Sequence, residues 1–328
     1  MDRNVIADIR ATSNLDDLYK VFADNHLTAG WHKKRPSLWR EPRTGFQPLN
    51  WRYADAAMAL DRAGEWMSTE DAERRNLLMF NPVDDNDYDT VRTIVSAYQM
   101  IRPGEYARTH RHTANAMRLI LDADPGVFTV VNGLKIPMRA GDFLLTPNWY
   151  WHSHYNEGEK NAYWIDFLDV PLVHRLEPMF AEDLPAVHQT VTSIPDPDAC
   201  PFVFTRKRVL AEIGSQPTLP GGARRLVLPT QQYIPTVSVT YIQAPKGAET
   251  GAARTTASRI FAVTSGNGRA RVGNKSFEWT VGDVFCVPSW HDFEISASSE
   301  ALILEVSDEP TLRLLGFFRD EAAPPAAP

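Results

Sequence analysis

A nine-residue pattern occurs twice in the chain, and it constrains the fold more than any other feature of the sequence. Residues 141–149 and 282–290 both begin with Gly-Asp, have Pro at the seventh position and end with Trp. A glycine turn precedes each copy, Asn132-Gly133 in the first and Gly273-Asn274 in the second. We therefore expect one unit of β structure to occur twice.

Short β-rich segments surround both copies, whereas the first 90 or so residues have helical periodicity. Segments such as 95–100, 127–131 and 143–145 are rich in strand-forming residues and are separated by Gly and Pro. Many short strands at this spacing are typical of a sandwich or a barrel. The predicted domains are a helical arm over 1–90, a first barrel over 91–180, a Pro-rich linker over 181–224, a second barrel over 225–318 and a disordered tail over 319–328.

The charge of the chain argues against two classes of partner. With a formal net charge of -7, the protein repels nucleic acid phosphates and anionic membranes, so neither is an expected partner. The sequence has no apolar run long enough to span a membrane and no apolar signal core in its first ten residues. Its two cysteines, Cys200 and Cys286, offer no disulfide framework. We expect a cytoplasmic protein that binds any small anion at a local basic site.

Four of the nine histidines lie between residues 110 and 154, in two pairs with a spacing of two. On a strand, this spacing places both imidazoles of a pair, His110 with His112 or His152 with His154, on one face. Neutral imidazoles that converge from different strands can bind a first-row transition metal. The context strengthens this prediction, because residues 141–156 follow the spacing Gly-x5-Pro-x4-His-x3-Asn.

These are the two motifs of the cupin barrel, and the chain resembles the bicupin family of gentisate, salicylate and 1-hydroxy-2-naphthoate 1,2-dioxygenases. The resemblance covers most of residues 25–320 and is densest over 95–175. Four stretches carry it: Arg74-Arg75 followed by Asn81-Pro82, His110-Arg-His-Thr113 with Asn115 and Arg118, residues 146–156, and Trp164-Ile-Asp166-Phe-Leu-Asp169-Val-Pro171. It implies a mainly β fold of two double-stranded β-helix (jelly-roll) barrels with an N-terminal helical arm, assembled as a homotetramer.

The resemblance also implies the cofactor and the reaction. His110, His112 and His152 would bind one Fe(II) per chain. Many cupins add a Glu ligand four or five residues after the second His, but here those positions are Ala116 and Met117. Three neutral ligands leave open positions for a chelating substrate and for O2. The implied reaction uses O2 to cleave the C1–C2 bond of a small aromatic 2-hydroxy acid: gentisate, salicylate or a 5-substituted salicylate such as nitrosalicylate.

Three residues are substrate contacts by the same resemblance. Arg118 matches the family's carboxylate anchor, a role that suits a guanidinium because it can bind a carboxylate bidentately. Gln99 matches a position that hydrogen-bonds the substrate. Arg74 matches another arginine of the pocket, although the doublet leaves Arg75 open as the alternative. For Arg118 and Gln99, the alternative is a polar residue that faces solvent.

Two further residues are predicted beside the metal. His154 follows a ligand by two residues and should face the same cavity, where an imidazole with an ordinary pKa of about 6.5 can accept the proton of the substrate hydroxyl. Asp166 is predicted to orient an imidazole through its carboxylate. A structural histidine and a turn-capping aspartate are the alternatives.

The second repeat lacks the metal motif. No histidine occurs between His188 and His291, residues 247–255 stand in place of the His-x-His pair, and Phe293 stands at the third ligand position. We therefore expect the second barrel to be metal-free and structural. Two other functions remain open from the sequence: a non-catalytic ligand-binding or storage bicupin, and another metal-cupin reaction such as decarboxylation or isomerisation.

Overall fold

The computed structural model describes residues 5–32, 37–42, 45–72 and 74–321, which belong to two compact units divided after residue 43. The smaller unit contains helices α1 (Val5–Ala11) and α2 (Leu15–Asp24). The α2 helix begins after Asn14, whose side-chain oxygen accepts a hydrogen bond from the backbone N–H of Asp17 at 2.9 Å. In the described part of the chain, every helix is too short or too polar to cross a membrane.

The larger unit consists mainly of two β barrels. Its described helices are α3 (Tyr53–Gly64), α4 (Thr69–Ala72), α5 (Val170–Arg175), α6 (Arg206–Gly214) and α7 (Glu309–Leu314). The strands of the first barrel are β2 (Arg75–Leu78), β3 (Val95–Ile101), β4 (Tyr106–His112), β5 (Ala116–Asp122), β6 (Val127–Val131), β7 (Leu134–Pro137), β8 (Phe143–Thr146), β9 (His152–Asn156), β10 (Ala162–Leu168), β11 (Ala181–Asp183) and β12 (Val203–Phe204). Those of the second barrel are β1 (Asn50–Trp51), β13 (Arg224–Val227), β14 (Ser238–Ala244), β15 (Glu249–Ala252), β16 (Arg259–Ser265), β17 (Gly268–Val272), β18 (Lys275–Trp279), β19 (Val284–Val287), β20 (Phe293–Ala297) and β21 (Ala301–Ser307).

Each barrel is built from two antiparallel sheets. In the first barrel the strand orders are β12-β8-β5-β10-β3-β2 and β11-β4-β9-β6-β7, and in the second they are β1-β19-β16-β21-β14-β13 and β15-β20-β17-β18. One cluster of buried apolar side chains lies within the second barrel, and a larger cluster includes buried residues of both barrels. The prediction of a mainly β fold with two jelly-roll barrels is therefore confirmed.

The structural repeat is longer than the sequence motif, and its two copies interlock. Strand β1 pairs with β19 of the second barrel, and β12 pairs with β8 of the first. The helix that follows each of these strands has an equivalent hydrogen bond at its first residue. The backbone N–H of Tyr53 donates to Asp283 at 2.9 Å. The backbone N–H of Arg206 donates to Asp142 at 2.8 Å. Each barrel is thus completed by the segment that precedes the other barrel in the sequence.

This interlocking corrects the predicted domain limits. Residues 45–90 are not a purely helical arm, because they include β1 and β2. Residues 181–224 are more than a linker, because β11, β12 and α6 lie within them and both strands pair with the first barrel. At the C-terminus, the backbone of residues 319–321 is hydrogen-bonded to residues 254–256, while residues 322–328 of the predicted tail lie outside the described residues.

The repeated motif has the same unusual backbone in both copies. Gly141 and Gly282 each have a φ of 86°, a left-handed conformation that favours glycine. Trp149 and Trp290 are also left-handed, with φ values of 62° and 63°. These conformations explain why Gly and Trp stay in register between the repeats, because the same turn is needed at the same place in each barrel.

Phenylalanine side chains fill the second barrel where the first has histidines. His110 lies opposite His152 in the first barrel, and Ala252 lies opposite Phe293 in the second. The Phe293 ring is 5.2 Å, centroid to centroid, from that of Phe261. Phe261 in turn stacks on Phe285 at 4.8 Å. The interior of the second barrel is therefore a packed aromatic cluster.

Replacing Phe293 by alanine is expected to lower the free energy of unfolding by about 3–5 kcal/mol, because the buried ring leaves a cavity that its neighbours fill only in part. Chemical denaturation of the purified variant would measure the loss. Phe277→Ala is the matched control, since Phe277 is only partly buried at the edge of the same cluster and should cost clearly less. Equal losses in the two variants would contradict the packing described above.

Candidate active site

Three histidines form a compact cluster inside the first barrel. Strand β4 carries His110 and His112, and His152 opens β9, so that a potential ligand atom from each lies within 4.8 Å of the others. Their ring centroids are separated by 4.3 Å for His110 and His152 and by 4.8 Å for His112 and His152. All three side chains are buried. The structure thus brings together the residues that the sequence predicted as metal ligands.

Backbone carbonyls orient the three imidazoles in the same way. The Nδ1 atom of His110 lies 2.9 Å from the Arg108 carbonyl oxygen, that of His112 lies 2.7 Å from the Ala114 oxygen, and that of His152 lies 2.9 Å from the Tyr150 oxygen. A carbonyl can only accept, so Nδ1 must carry the proton in each ring. The lone pair is therefore on Nε2, which is the arrangement of a metal-binding histidine.

Burial keeps three imidazoles of the site neutral, those of His112, His152 and His154. Desolvation lowers the pKa of His112 to about 4 and lowers that of His152 well below its ordinary value. The pKa of His154 is also well below the ordinary range, first because of burial and then because the Arg118 guanidinium lies beside it. A neutral imidazole is the form that ligates metals, so the rings are ready to bind one at neutral pH.

A β-bulge sets the direction of the histidines on β4. Ala107 pairs with His154, whereas His110 pairs with His152, so β4 has one more residue than β9 between these two pairs. The extra residue turns His110 to the face that His152 and His154 share. Without it, simple alternation would place Ala107 and His110 on opposite faces.

A chain of hydrogen bonds runs beside the histidines. The Nε atom of Arg118 donates to Asp166 Oδ1 at 3.1 Å, and Gln99 Nε2 donates to Asp166 Oδ2 at 2.8 Å. The Oε1 atom of Gln99 accepts from Arg74 Nε at 2.7 Å. Strand pairing explains the grouping, because Asp166 on β10 lies directly opposite Arg118 on β5 and therefore shares its face.

Arg118 has donors that a ligand can use. Its guanidinium is 1% exposed, with Nη1 at 2.9 Å from Nε2 and 3.0 Å from Nδ1 of His154. Among the described residues, hydrogen bonds engage its Nε and Nη1 atoms and none engages Nη2. Because a guanidinium only donates, His154 is the acceptor in this contact. The predicted anchor and the predicted proton acceptor are therefore neighbours.

The arginine doublet divides between two environments. Arg74 lies beside Gln99 in the hydrogen-bonded chain. Arg75 is buried elsewhere, where both of its terminal nitrogens contact the Glu105 carboxylate at 2.6 Å and its Nε contacts the Met67 carbonyl oxygen at 2.9 Å. Adjacent residues at the start of β2 point to opposite faces, which explains the division. The geometry favours Arg74 as the member of the doublet that faces the site.

The prediction for Asp166 needs correction. Its carboxylate was expected to orient an imidazole, but its hydrogen bonds among the described residues go to Arg118 and Gln99. Asp166 is fully buried, and the guanidinium supplies the charge that a buried carboxylate requires. It therefore orients Arg118, and only through Arg118 does it reach His154.

Sequence reasoning gave no role to Asn115 and Asp169, although both belong to the motif stretches. Asp169 accepts hydrogen bonds from the backbone N–H and the side-chain amide of Asn115, each at 2.7 Å. Asn115 in turn accepts the N–H of Asn148 at 3.0 Å. These contacts join the segment after His112 to the segment before His152. The signal in the sequence is a second repeat, Asp169-Val-Pro171 and Asp308-Glu-Pro310.

Comparisons with known proteins agree with this geometry. The cupin domain model matches residues 97–169. The chain is 33% identical to a 5-aminosalicylate 1,2-dioxygenase of Comamonas sp, over 94% of this chain and 91% of that relative. It is 30% identical to a gentisate 1,2-dioxygenase of Aquipseudomonas alcaligenes, over 94% and 96%. A solved structure of salicylate 1,2-dioxygenase from Pseudoaminobacter salicylatoxidans with gentisate is similar at a TM-score of 0.84 and 25% identity, over 95% of each chain.

The two relatives named above are at least 30% identical to this chain over nearly its whole length. Both are ring-cleaving oxidoreductases. The fold is similar to that of the salicylate 1,2-dioxygenase structure, and the first barrel has a three-histidine cluster that can hold a metal. The chain therefore belongs to the gentisate and salicylate 1,2-dioxygenase family of bicupin, ring-cleaving enzymes.

Proposed function

We propose that this protein is an Fe(II)-dependent dioxygenase that cleaves the C1–C2 bond of a 2-hydroxybenzoate: gentisate, salicylate or a 5-substituted salicylate. The observation that carries the proposal is the cluster of His110, His112 and His152 beside the buried guanidinium of Arg118. The histidine side of the site can hold a metal, and the arginine side can hold a carboxylate.

The donor set fits Fe(II). Three neutral imidazoles with their protons fixed on Nδ1 leave the metal its full positive charge, and Ala116 and Met117 offer no fourth ligand. A bound Fe(II) would supply a positive centre that a carboxylate and an ortho hydroxyl can chelate, together with the redox chemistry that O2 requires. We assign one such ion per chain to these histidines.

The charges of the pocket suit an anionic substrate. Arg74 and Arg118 contribute two positive charges and Asp166 contributes one negative charge. The imidazoles of His112, His152 and His154 are neutral. The pocket is thus positive within a chain whose net charge is -7. A benzoate carboxylate can take the Nη2 donors of Arg118 while Asp166 holds the other edge of the guanidinium.

The remaining residues position the ring and its proton. Gln99 has both polar ends occupied, by Arg74 and by Asp166, so a substrate that hydrogen-bonds to Gln99 must replace one of these partners. His154 is proposed as the acceptor of the substrate hydroxyl proton, because its ring is neutral. The hydroxyl must first replace the Arg118 Nη1 contact, and the lowered pKa of His154 restricts it to an acidic hydroxyl. Holding the ring in one orientation can contribute several kcal/mol to the rate.

The test is O2 uptake by protein loaded anaerobically with Fe(II), across gentisate, salicylate, 5-nitro-, 5-chloro- and 5-aminosalicylate, and 1-hydroxy-2-naphthoate. For at least one compound, we expect the uptake of one O2 molecule for each aromatic ring lost. The decrease in ring absorbance measures the loss of the ring. With isotopically labelled O2, both labelled atoms should appear in the product. Iron-loaded protein that consumes no O2 with any of these acids would instead indicate a different metal-cupin reaction or ligand storage.

Assembly and cellular location are also proposals. We propose a homotetramer in the cytoplasm, on the basis of the family resemblance and of the absence of a helix long and apolar enough to cross a membrane among the described residues. Light scattering of the purified protein would give a mass four times that of the 36.9 kDa chain. A monomeric mass would contradict the proposed assembly without affecting the proposed reaction.

A further inference from the structure

Two equivalent hydrogen bonds join the barrels to each other. Thr236, just before β14 of the second barrel, donates its hydroxyl to Asp169 Oδ2 of the first at 2.5 Å. Thr93, just before β3 of the first barrel, donates to Asp308 Oδ2 of the second at 2.6 Å. The two carboxylates have the same place in their repeats, because Asp169 directly follows β10, Asp308 directly follows β21, and each precedes a short helix.

The other oxygen of each carboxylate, Oδ1, accepts a hydrogen bond from a backbone N–H of its own barrel. Asp169 Oδ1 accepts the backbone N–H of Asn115 at 2.7 Å, and Asp308 Oδ1 accepts that of Ser258 at 2.7 Å. Both carboxylates are almost fully buried. Burial raises the pKa of each, and the threonine hydroxyl is among the donors that oppose this rise. The two bonds are therefore chemically matched.

Only one of the two bonds leads to the histidine cluster. Asn115 lies next to Ala114, whose carbonyl oxygen holds Nδ1 of His112 at 2.7 Å. The side chain of Asn115 also holds the backbone N–H of Asn148, in the turn before His152. In the second barrel, the equivalent bond ends at the backbone of Ser258, in the repeat that lacks the histidine pair.

We propose that the second barrel holds the metal site of the first barrel in shape, and that Thr236 is the positioning residue through which it does so. The inference rests on the proposed metal site at the three histidines. Thr236 fixes Asp169, Asp169 fixes Asn115, and Asn115 fixes the two segments that orient His112 and His152. A barrel without metal ligands of its own thus keeps a function, which is to hold those ligands in a geometry that retains the ion.

Thr236 is itself fixed by the second barrel. Its carbonyl oxygen accepts the hydroxyl of Thr311, in helix α7, at 2.7 Å. The Asn115 amide also lies 3.3 Å from the Thr236 hydroxyl, so three polar side chains meet at this point between the barrels. Loss of the hydroxyl would leave Asp169 with the Asn115 donors alone and free the carboxylate to move.

The experiment measures release of Fe(II) to a chromogenic chelator under anaerobic conditions, without substrate. Thr236→Val removes the hydroxyl at nearly constant volume and should release iron about tenfold faster than the parent protein, the size typical of losing a residue that supports a ligand. Thr236→Ser keeps the hydroxyl and should release iron at the parental rate. If the valine variant does not fold, Thr236→Ala provides the same test with less crowding.

Thr93→Val is the matched control, because it removes the equivalent bond to Asp308. Thermal unfolding should show similar losses of stability for the two valine variants, while iron release should change only in Thr236→Val. Parental release from Thr236→Val, or equally fast release from Thr93→Val, would overturn the inference. A parent protein that binds no Fe(II) at all would instead overturn the proposed function and this inference with it.

Discussion

His112→Ala is expected to abolish iron binding and ring cleavage together. The variant keeps two of the three imidazoles, and a site of neutral ligands has no carboxylate to compensate for the loss. Loss of a residue that only supports a metal ligand lowers affinity roughly 10- to 100-fold. Loss of the ligand His112 itself should lower the Fe(II) affinity by more than that. Metal analysis after anaerobic loading and O2 uptake with the preferred acid would measure both effects on one preparation.

His174→Ala is the control for this experiment, because His174 is an exposed histidine that contacts Tyr88 and lies outside the cluster. It should keep one iron per chain and parental turnover. Circular dichroism should give parental spectra for both variants. The His112 ring makes one hydrogen bond to the backbone, at the Ala114 carbonyl, so its removal should change the secondary structure little. Parental activity of iron-free His112→Ala would contradict the proposed chemistry.

Arg118→Leu is expected to lower both kcat/KM and the free energy of unfolding. Losing the partner of a buried charged hydrogen bond costs about 2–5 kcal/mol in binding, which predicts a fall in kcat/KM from about 30-fold to several thousand-fold. The same change leaves the Asp166 carboxylate buried without its cation, and this should destabilise the fold by about 3–5 kcal/mol. Steady-state kinetics and chemical denaturation measure the two effects separately.

A double variant separates substrate binding from stability. Arg118→Leu combined with Asp166→Asn removes both buried charges, so much of the lost stability should return while kcat/KM stays low. Arg118→Lys keeps the charge but loses the planar pair of donors, and it should lie between the parent and the leucine variant. If the double variant were stable and retained parental kcat/KM, the carboxylate would be anchored elsewhere.

The histidine cluster could be predicted from the sequence because it depends on local geometry. Alternation along a strand places His110 and His112 on one face, and the repeated Gly-Asp motif fixes where the following histidine begins its own strand. The bulge on β4 could not be predicted. It is defined by the extra residue relative to β9, and a register between two strands exists only once they have paired.

The sequence predicts Arg118, Gln99 and Asp166 in one site, and hydrogen bonds join them in the structure, but Asp166 does not contact the imidazole predicted for it. The position of Asp166 in the family motif predicts that its carboxylate orients an imidazole. Its partners, Arg118 and Gln99, come from the two strands on either side of β10. Which residue lies across from another depends on the sheet order, which the sequence of one strand does not contain.

The sequence by itself determined the two-barrel fold and the barrel that carries the histidines, because repeats, turn glycines and strand periodicity are all local patterns. The family resemblance of the sequence supplied the expected substrate contacts. Only the tertiary structure decided how the repeats interlock, so that β1 completes the second barrel and β12 completes the first. It also decided that Thr236 reaches Asp169. These contacts join residues far apart in the chain, and their geometry is fixed by burial and sheet closure rather than by neighbouring residues.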